Sequence, residues 1–197
     1  DGVTDAMQSG SSAGLLCYFN DPLKGWGPPL PVTRPAEFPV DFSDPHVKWG
    51  DMSGDGLQDA VAIQSGNVTY FPNLGYGRWG APVLMSGILE LPAEYNPKRL
   101  LLGDIDGDGL ADLIYVESGS ITVWINKNGN AWSAPIVIDD APAIIDSDDV
   151  RLSDLHGTGL SSLLYSKDFT GLGSTFSMVH FNGPTKPHLL TMMDNHI

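Results

Sequence analysis

Cysteine is nearly missing from this sequence. Cys17 is the only one in 197 residues, so an internal disulfide is excluded and the redox compartment cannot be read from thiol usage. Cationic side chains are scarce too, with 10 Lys and Arg against 24 Asp and Glu for a formal net charge of −14. That balance argues against nucleic-acid backbones and anionic membrane surfaces as partners. There is no apolar run long enough to insert into a membrane, no low-complexity tract and no convincing long amphipathic helix. With helical periodicity lacking and 23 Gly and 15 Pro punctuating the chain, the composition points to an all-β protein. A 42% hydrophobic share is enough for one buried core. No leader-like segment opens the chain, but the chain opens inside a repeat, so this has no weight.

What the sequence does contain is one module, several times over. Asp51-Met52-Ser53-Gly54-Asp55-Gly56-Leu57-Gln58-Asp59 returns as Asp104-Ile105-Asp106-Gly107-Asp108-Gly109-Leu110-Ala111-Asp112. The separations Asp55 to Asp108, Trp26 to Trp79 to Trp132, and Asn20 to Asn73 to Asn126 are all 53 residues. In that register Asp1-Gly2-Val3-Thr4-Asp5 matches the second half of the loop, and a worn fourth copy runs from Asp154 through His156 and Thr158 to Ser162. Repetition at about this length is the signature of solenoids and propellers.

Each repeat reads as four short strands. In the third, residues 99–103 lead into the aspartate loop and 111–117 leave it as a β-favouring run. Ser118-Gly119 reverses the chain into 120–126, and Lys127-Asn128-Gly129-Asn130 reverses it again before 134–138. Ser-Gly and Asn-Gly between such runs are hairpin signals. A four-stranded sheet repeated at this spacing is a propeller blade. The predicted fold is therefore a β-propeller fragment of about four blades, one segment over 1–197, with blade units near 1–32, 47–85, 99–138 and 150–190.

The aspartate loops carry the clearest chemistry. Carboxylates at loop positions 1, 3, 5 and 9, a backbone carbonyl at 7 and Gly at 6 for the sharp turn suit an oxygen cage for Ca²⁺. The predicted ligands are Asp104, Asp106, Asp108, the Leu110 carbonyl and Asp112 in the third repeat. In the second they are Asp51, Ser53, Asp55, the Leu57 carbonyl and Asp59, with one carboxylate fewer and weaker affinity expected. The competing reading is a turn in which Asx side chains bond their own backbone. So many carboxylates crowded together would repel without a cation, which favours metal. Position 12 holds Ala62 and Tyr115 rather than Glu, so strands, not EF-hand helices, are expected to flank the loops. The fourth copy is expected to be a metal-free turn that keeps the shape.

Other signals fade against the repeat. Gly10-Ser11-Ser12-Ala13-Gly14 fits G-x-S-x-G, but it occupies a hairpin position with a strand, not a helix, after it, so Ser12 is not read as a nucleophile. The five histidines, His46, His156, His180, His188 and His196, show no metal-ligand spacing and are read as surface or packing residues. The sequon Asn67-Val68-Thr69 matters only in a glycosylating pathway. Trp26, Trp79 and Trp132 are read as packing wedges between blades rather than sugar-stacking platforms. The acidic stretch from Asp139 to Asp149 is read as a solvated loop.

Taken together, the aspartate loops with Ser-Gly hairpins, Tyr70-Phe71-Pro72-Asn73, the Gly-Arg-Trp-Gly of residues 77–80 and the closing Met193-Asp194-Asn195-His196 resemble the B component of bacterial toxin-complex (Tc) insecticidal toxins. The N-terminal region of SpvB-like virulence proteins is similar. The resemblance covers essentially the whole chain, and its order of motifs is more specific than the aspartate loop alone, which FG-GAP and VCBS repeats share. It implies a non-enzymatic propeller region of a secreted bacterial protein, docking onto a pore-forming A component and gating passage of a toxic C-terminal enzyme held elsewhere in the parent B component. The other reading kept open is a calcium-dependent adhesive or carbohydrate-binding FG-GAP/VCBS propeller. A propeller hydrolase or lyase is disfavoured, because no converging catalytic carboxylates or histidines are visible.

Overall fold

The computed structural model describes residues 4–11, 14–64, 66–145, 149–169 and 173–181. Its fold class is all-β, built of propeller-type antiparallel blades; the helical content of the described residues is a single 3-10 turn, Pro97–Arg99. The chain forms two compact units, Asp1–Lys98 with Lys127–Trp132, and Arg99–Asn126 with Ser133–Ile197. Each contains two successive repeats.

In the first unit, one sheet runs in the order Ala6–Ser11, Gly14–Tyr18, Leu30–Pro31, and the next runs Val47–Gly50, Asp59–Gln64, Asn67–Phe71, Val83–Leu84. In the second unit, a four-stranded sheet of Leu100–Gly103, Asp112–Glu117, Ser120–Trp124 and Ile136–Asp139 is followed by Asp149–Ser153, Ser162–Phe169 and Gly173–Val179. Four strands per repeat is thus seen in the second and third copies. Three are seen in the first and fourth among the described residues, and the expected end of the last blade near 190 lies outside them.

The strands that leave the aspartate loops of the second and third repeats, Asp59–Gln64 and Asp112–Glu117, are buried on both faces, which is why they read as apolar runs rather than clean alternations. Asp112–Glu117 buries five of its six residues. The hairpin that follows Asp59–Gln64 requires glycine at 66: its φ is +78°, and a Cβ there would stand 2.6 Å from the Leu89 carbonyl oxygen.

Adjacent sheets within a unit share a core. In the first unit Leu15, Phe38, Ala60, Phe71 and Trp79 are buried together. The Trp79 ring centroid lies 4.8 Å from that of Phe38 and 5.8 Å from that of Trp49. Trp79 is therefore the packing wedge expected, whereas Trp26 is 58% exposed. In the second unit Ile105, Ile114, Val116, Ile121, Leu163 and Tyr165 unite the third and fourth repeats. Each such side chain, buried, contributes roughly 1.5–3 kcal/mol.

A backbone clasp also joins successive repeats. Thr33 pairs in parallel with Arg78 through Thr33 N to Gly77 O at 2.9 Å and Trp79 N to Thr33 O at 2.8 Å. One period later, still within the first unit, Ser86 pairs with Ala131 through Ser86 N to Asn130 O at 2.7 Å and Trp132 N to Ser86 O at 3.3 Å. The tryptophan hairpin of one repeat thus grips the outgoing chain of the repeat before it.

Candidate metal loops and their surroundings

Each aspartate loop connects the first and second strands of its sheet in one register. Gly50 faces Asp59, Gly103 faces Asp112 and Ser153 faces Ser162. The loops are therefore nine-residue closures flanked by strands, as their position-12 residues imply.

Position 1 organises the turn. Asp51 accepts the backbone N–H of Gly54 and of Gly56, both at 2.7 Å. Asp104 accepts Gly107 N at 2.6 Å and Gly109 N at 3.1 Å. Asp154 accepts Thr158 N at 3.0 Å and Gly159 N at 2.8 Å. The glycine at position 6 adopts a left-handed φ in all three loops, +84° at Gly56, +89° at Gly109 and +88° at Gly159. Position 5 closes the next step, Asp55 taking Leu57 N at 2.9 Å and Asp108 taking Leu110 N at 2.8 Å. In the fourth loop Thr158 Oγ1 does the same for Leu160 N at 3.3 Å, so that loop keeps the shape without the carboxylate.

Position 3 separates the loops. Asp106 accepts Asp108 N at 3.1 Å, and carboxylate oxygens of Asp104, Asp106 and Asp108 lie within 4.8 Å of one another. Oxygens on one Ca²⁺ at about 2.4 Å stand at separations of this order. The second loop, with Ser53 at this position, forms no such group of three among the described residues. The Leu110 side chain is buried and that of Leu57 is 40% exposed.

Position 9 faces inward. Asp112 is fully buried, with Oδ2 accepting Ile105 N at 3.1 Å and Oδ1 accepting Asn126 N at 2.9 Å. Asp59 is equally buried and takes Met52 N at 3.0 Å and Asn73 N at 2.7 Å. These carboxylates, expected as metal ligands, have the further duty of tying the loop to the end of the third strand. Burial pushes the Asp112 carboxyl up to about 7 against the lowering effect of its two N–H donors, and the neighbouring Asp106 and Asp108 charges push the same way. Desolvation likewise raises Asp59 and Asp104. A cation beside them would reverse that trend by favouring the ionised forms.

The remaining sequence signals fall as follows. Ser12 lies outside the described residues; the strands Ala6–Ser11 and Gly14–Tyr18 on either side of it pair antiparallel, with Ser11 facing Gly14. His46 sits in a turn with Nδ1 2.8 Å from Asp44 Oδ1. His188 and His196 lie outside the described residues. His156 and His180, read from spacing as unrelated, are neighbours: their Nε2 atoms are 3.0 Å apart, and His180 Nδ1 lies 2.8 Å from Ser162 Oγ. The signal that could have joined them was the replacement of two loop carboxylates, at positions 3 and 9, by His156 and Ser162 in one copy. Of the acidic stretch, Asp139 and Asp140 are exposed and Asp149 pairs with Arg151, while Asp146 and Asp148 lie outside the described residues.

The comparisons with known proteins agree with this architecture. Residues 51–115 match the FG-GAP-like repeat family. The chain is similar to a structure of the Photorhabdus luminescens Tc holotoxin pore, with 28% identity and a TM-score of 0.78 over 95% of this chain and 9% of that one. It is also similar to TcdB2-TccC3 without its hypervariable C-terminal region, at 30% identity and TM-score 0.66 over 77% of this chain and 7% of that one. An Agrocybe aegerita lectin that recognises non-reducing terminal N-acetylglucosamine shares the fold at 18% identity and TM-score 0.57, over 78% of this chain and 41% of the lectin. No curated protein matches in sequence. The chain thus has the repeats and the structure of a Tc toxin-related region, while spanning under a tenth of the toxin chains it matches.

Proposed function

We propose that this chain is a non-enzymatic propeller region of a secreted bacterial toxin-complex B component. Its role is to dock onto the pore-forming A component and to gate the passage of a toxic enzyme carried by the parent protein. The observation that carries this reading is the likeness to the Tc holotoxin pore structure across 95% of the chain. The architecture supports a docking role physically. Strand interiors are committed to the shared cores, which leaves the connecting loops to carry binding. Among the described residues no helix is long and apolar enough to cross a membrane.

We further propose that the third-repeat loop holds Ca²⁺ through Asp104, Asp106, Asp108, the Leu110 carbonyl and Asp112, with a weaker site at Asp51, Ser53, Asp55, the Leu57 carbonyl and Asp59. The Asp104, Asp106 and Asp108 cluster supports the first site. An ion there would rigidify the edge of the blade from which the hairpins project.

The deciding experiment is binding of the complete parent protein to a purified A component, compared with variants carrying swapped loops at 126–132 or 139–149. Loss of affinity in either swap supports docking. Unchanged affinity in swaps covering both ends of the blades, with tight calcium-dependent binding to a glycan array, would favour the adhesive or carbohydrate-binding reading.

A further inference from the structure

The fourth loop has lost three of its four carboxylates. Where the third repeat has Asp106, Asp108 and Asp112, this copy has His156, Thr158 and Ser162. Its one remaining carboxylate, Asp154, accepts Thr158 N and Gly159 N. A hard cation would find few oxygen ligands in this loop.

Across the sheet, the strand Gly173–Val179 pairs with Ser162–Phe169, with Leu163 opposite Val179. That register brings His180 opposite Ser162, and the two-residue alternation of a strand puts Met178 on the same side as His180. The result is a convergence of two imidazole nitrogens and a thioether sulfur. His180 Nε2 is 3.0 Å from His156 Nε2 and 2.9 Å from Met178 Sδ, and the two imidazole centroids are 4.4 Å apart. On its other side, His180 Nδ1 lies 2.8 Å from Ser162 Oγ, whose residue is only 5% exposed.

When Nδ1–H donates to Ser162, Nε2 carries a lone pair and faces two further lone-pair atoms. The His156 N–H can relieve one of those contacts and leaves the sulfur without a donor. A single cation relieves all of them. A ring nitrogen fixed by a buried hydroxyl is also the usual support of a metal-bound histidine, because it sets tautomer and ring orientation. Two nitrogens bound to one metal at about 2.0 Å stand roughly 3.3 Å apart in tetrahedral geometry, a few tenths of an ångström from the separation seen here.

We propose that His156, His180 and Met178 form a soft-metal site that binds Cu⁺, with Ser162 as the positioning residue of His180. Imidazole accepts Zn²⁺, Ni²⁺ or copper, and the thioether selects the monovalent copper ion. Met178 is 50% exposed and both histidines are exposed, which gives the ion a route in. The site is independent of the docking role proposed above and of the calcium loops.

The test is anaerobic competition with the Cu⁺–bicinchoninate complex, using the full chain in a Cys17→Ser background so that the lone thiol does not compete, with circular dichroism as the folding control. Wild type should remove one equivalent of Cu⁺ from the chelator. His180→Gln and His156→Gln should each weaken uptake by about 100-fold, and the volume-conserving Met178→Leu by about tenfold. X-ray absorption of the loaded protein should show nitrogen together with one sulfur near 2.3 Å. No uptake by wild type, equal affinity in Met178→Leu, or a metal shell without sulfur would each overturn the proposal.

Discussion

Asn126 donates its backbone N–H to Asp112 Oδ1 at 2.9 Å, and its side-chain amide donates to the Ala111 carbonyl at 3.2 Å. Asn73 and Asp59 repeat the arrangement one period earlier, at 2.7 Å from the backbone and 3.2 Å from Asn73 Nδ2 to Gln58 O. The recurring asparagine is therefore the partner of the ninth loop residue. It locks the loop to the far end of the hairpin that leaves it.

Removal of that lock should be costly. Asp112→Ala removes the buried carboxylate that accepts from Ile105 N and Asn126 N, and each buried hydrogen bond broken in this way costs about 1–3 kcal/mol. Urea unfolding followed by tryptophan fluorescence should show a loss of about 3 kcal/mol or more, with Asp59→Ala similar. A loss below about 0.5 kcal/mol would mean that water or a shifted backbone satisfies both donors.

Calcium should stabilise the second unit. At a hundred times its dissociation constant a ligand adds about 2.7 kcal/mol, or roughly 10–20 °C for a unit of this size. Calorimetry of chelated protein with and without added calcium should show the shift, and Asp106→Ala or Asp108→Ala should abolish most of it. Replacing Ser53 by Asp should strengthen the second loop's response. Identical melting curves with and without calcium would reduce both loops to plain turns.

A side chain at Gly103 would have to displace two neighbouring side-chain ends. A Cβ there would stand 2.8 Å from Leu152 Cδ1 and from Ser161 Oγ, on the neighbouring strand and loop of the fourth repeat. Gly103→Ala should destabilise by about 1–3 kcal/mol through overpacking. The double variant with Leu152→Ala should recover part of that loss in a thermal melt. Full additivity of the two effects would show that the contact is not the cause.

Tyr165 should give the protein an alkaline weakness. Its hydroxyl is buried without a hydrogen-bond partner among the described residues, and desolvation raises its pKa from 10.0 to about 12. The folded state keeps a proton that the unfolded chain releases, so stability present below about pH 10 should fall as pH rises toward 12. Tyr165→Phe should remove that slope and leave the protein as stable or more stable at pH 7, since an unsatisfied polar group disappears. A destabilised Tyr165→Phe would reveal a partner for the hydroxyl.

The legible features of the sequence were those whose chemistry is local. Glycines at positions needing left-handed φ and Asx side chains bonding their own turn repeat with the chain, so the period, the hairpins and the loops could be read by alignment. The inward duty of Asp59 and Asp112 was not legible, because their partners lie 14 residues on and stand out in the sequence only by their regular spacing. The meeting of His156 with His180 was hidden for a related reason. It depends on the register of Ser162–Phe169 against Gly173–Val179, eight and seven residues long, where the third repeat has six and five. A hairpin of altered length breaks the alignment that made the rest readable.

The backward grip of the tryptophan hairpins makes a folding piece and a sequence repeat differ in where they end. Residues 127–132 belong by number to the third repeat, yet they fold with the first unit, where Ser86 holds them. A truncation placed after Lys98, at the natural seam between sheets, would discard the strap that finishes the preceding blade. A cut that keeps the strap must fall past Trp132, and it then parts Ser120–Trp124 from its partner strand Ile136–Asp139. Tandem copies made by duplicating any 53-residue window would still supply every blade but the last with its own fastening.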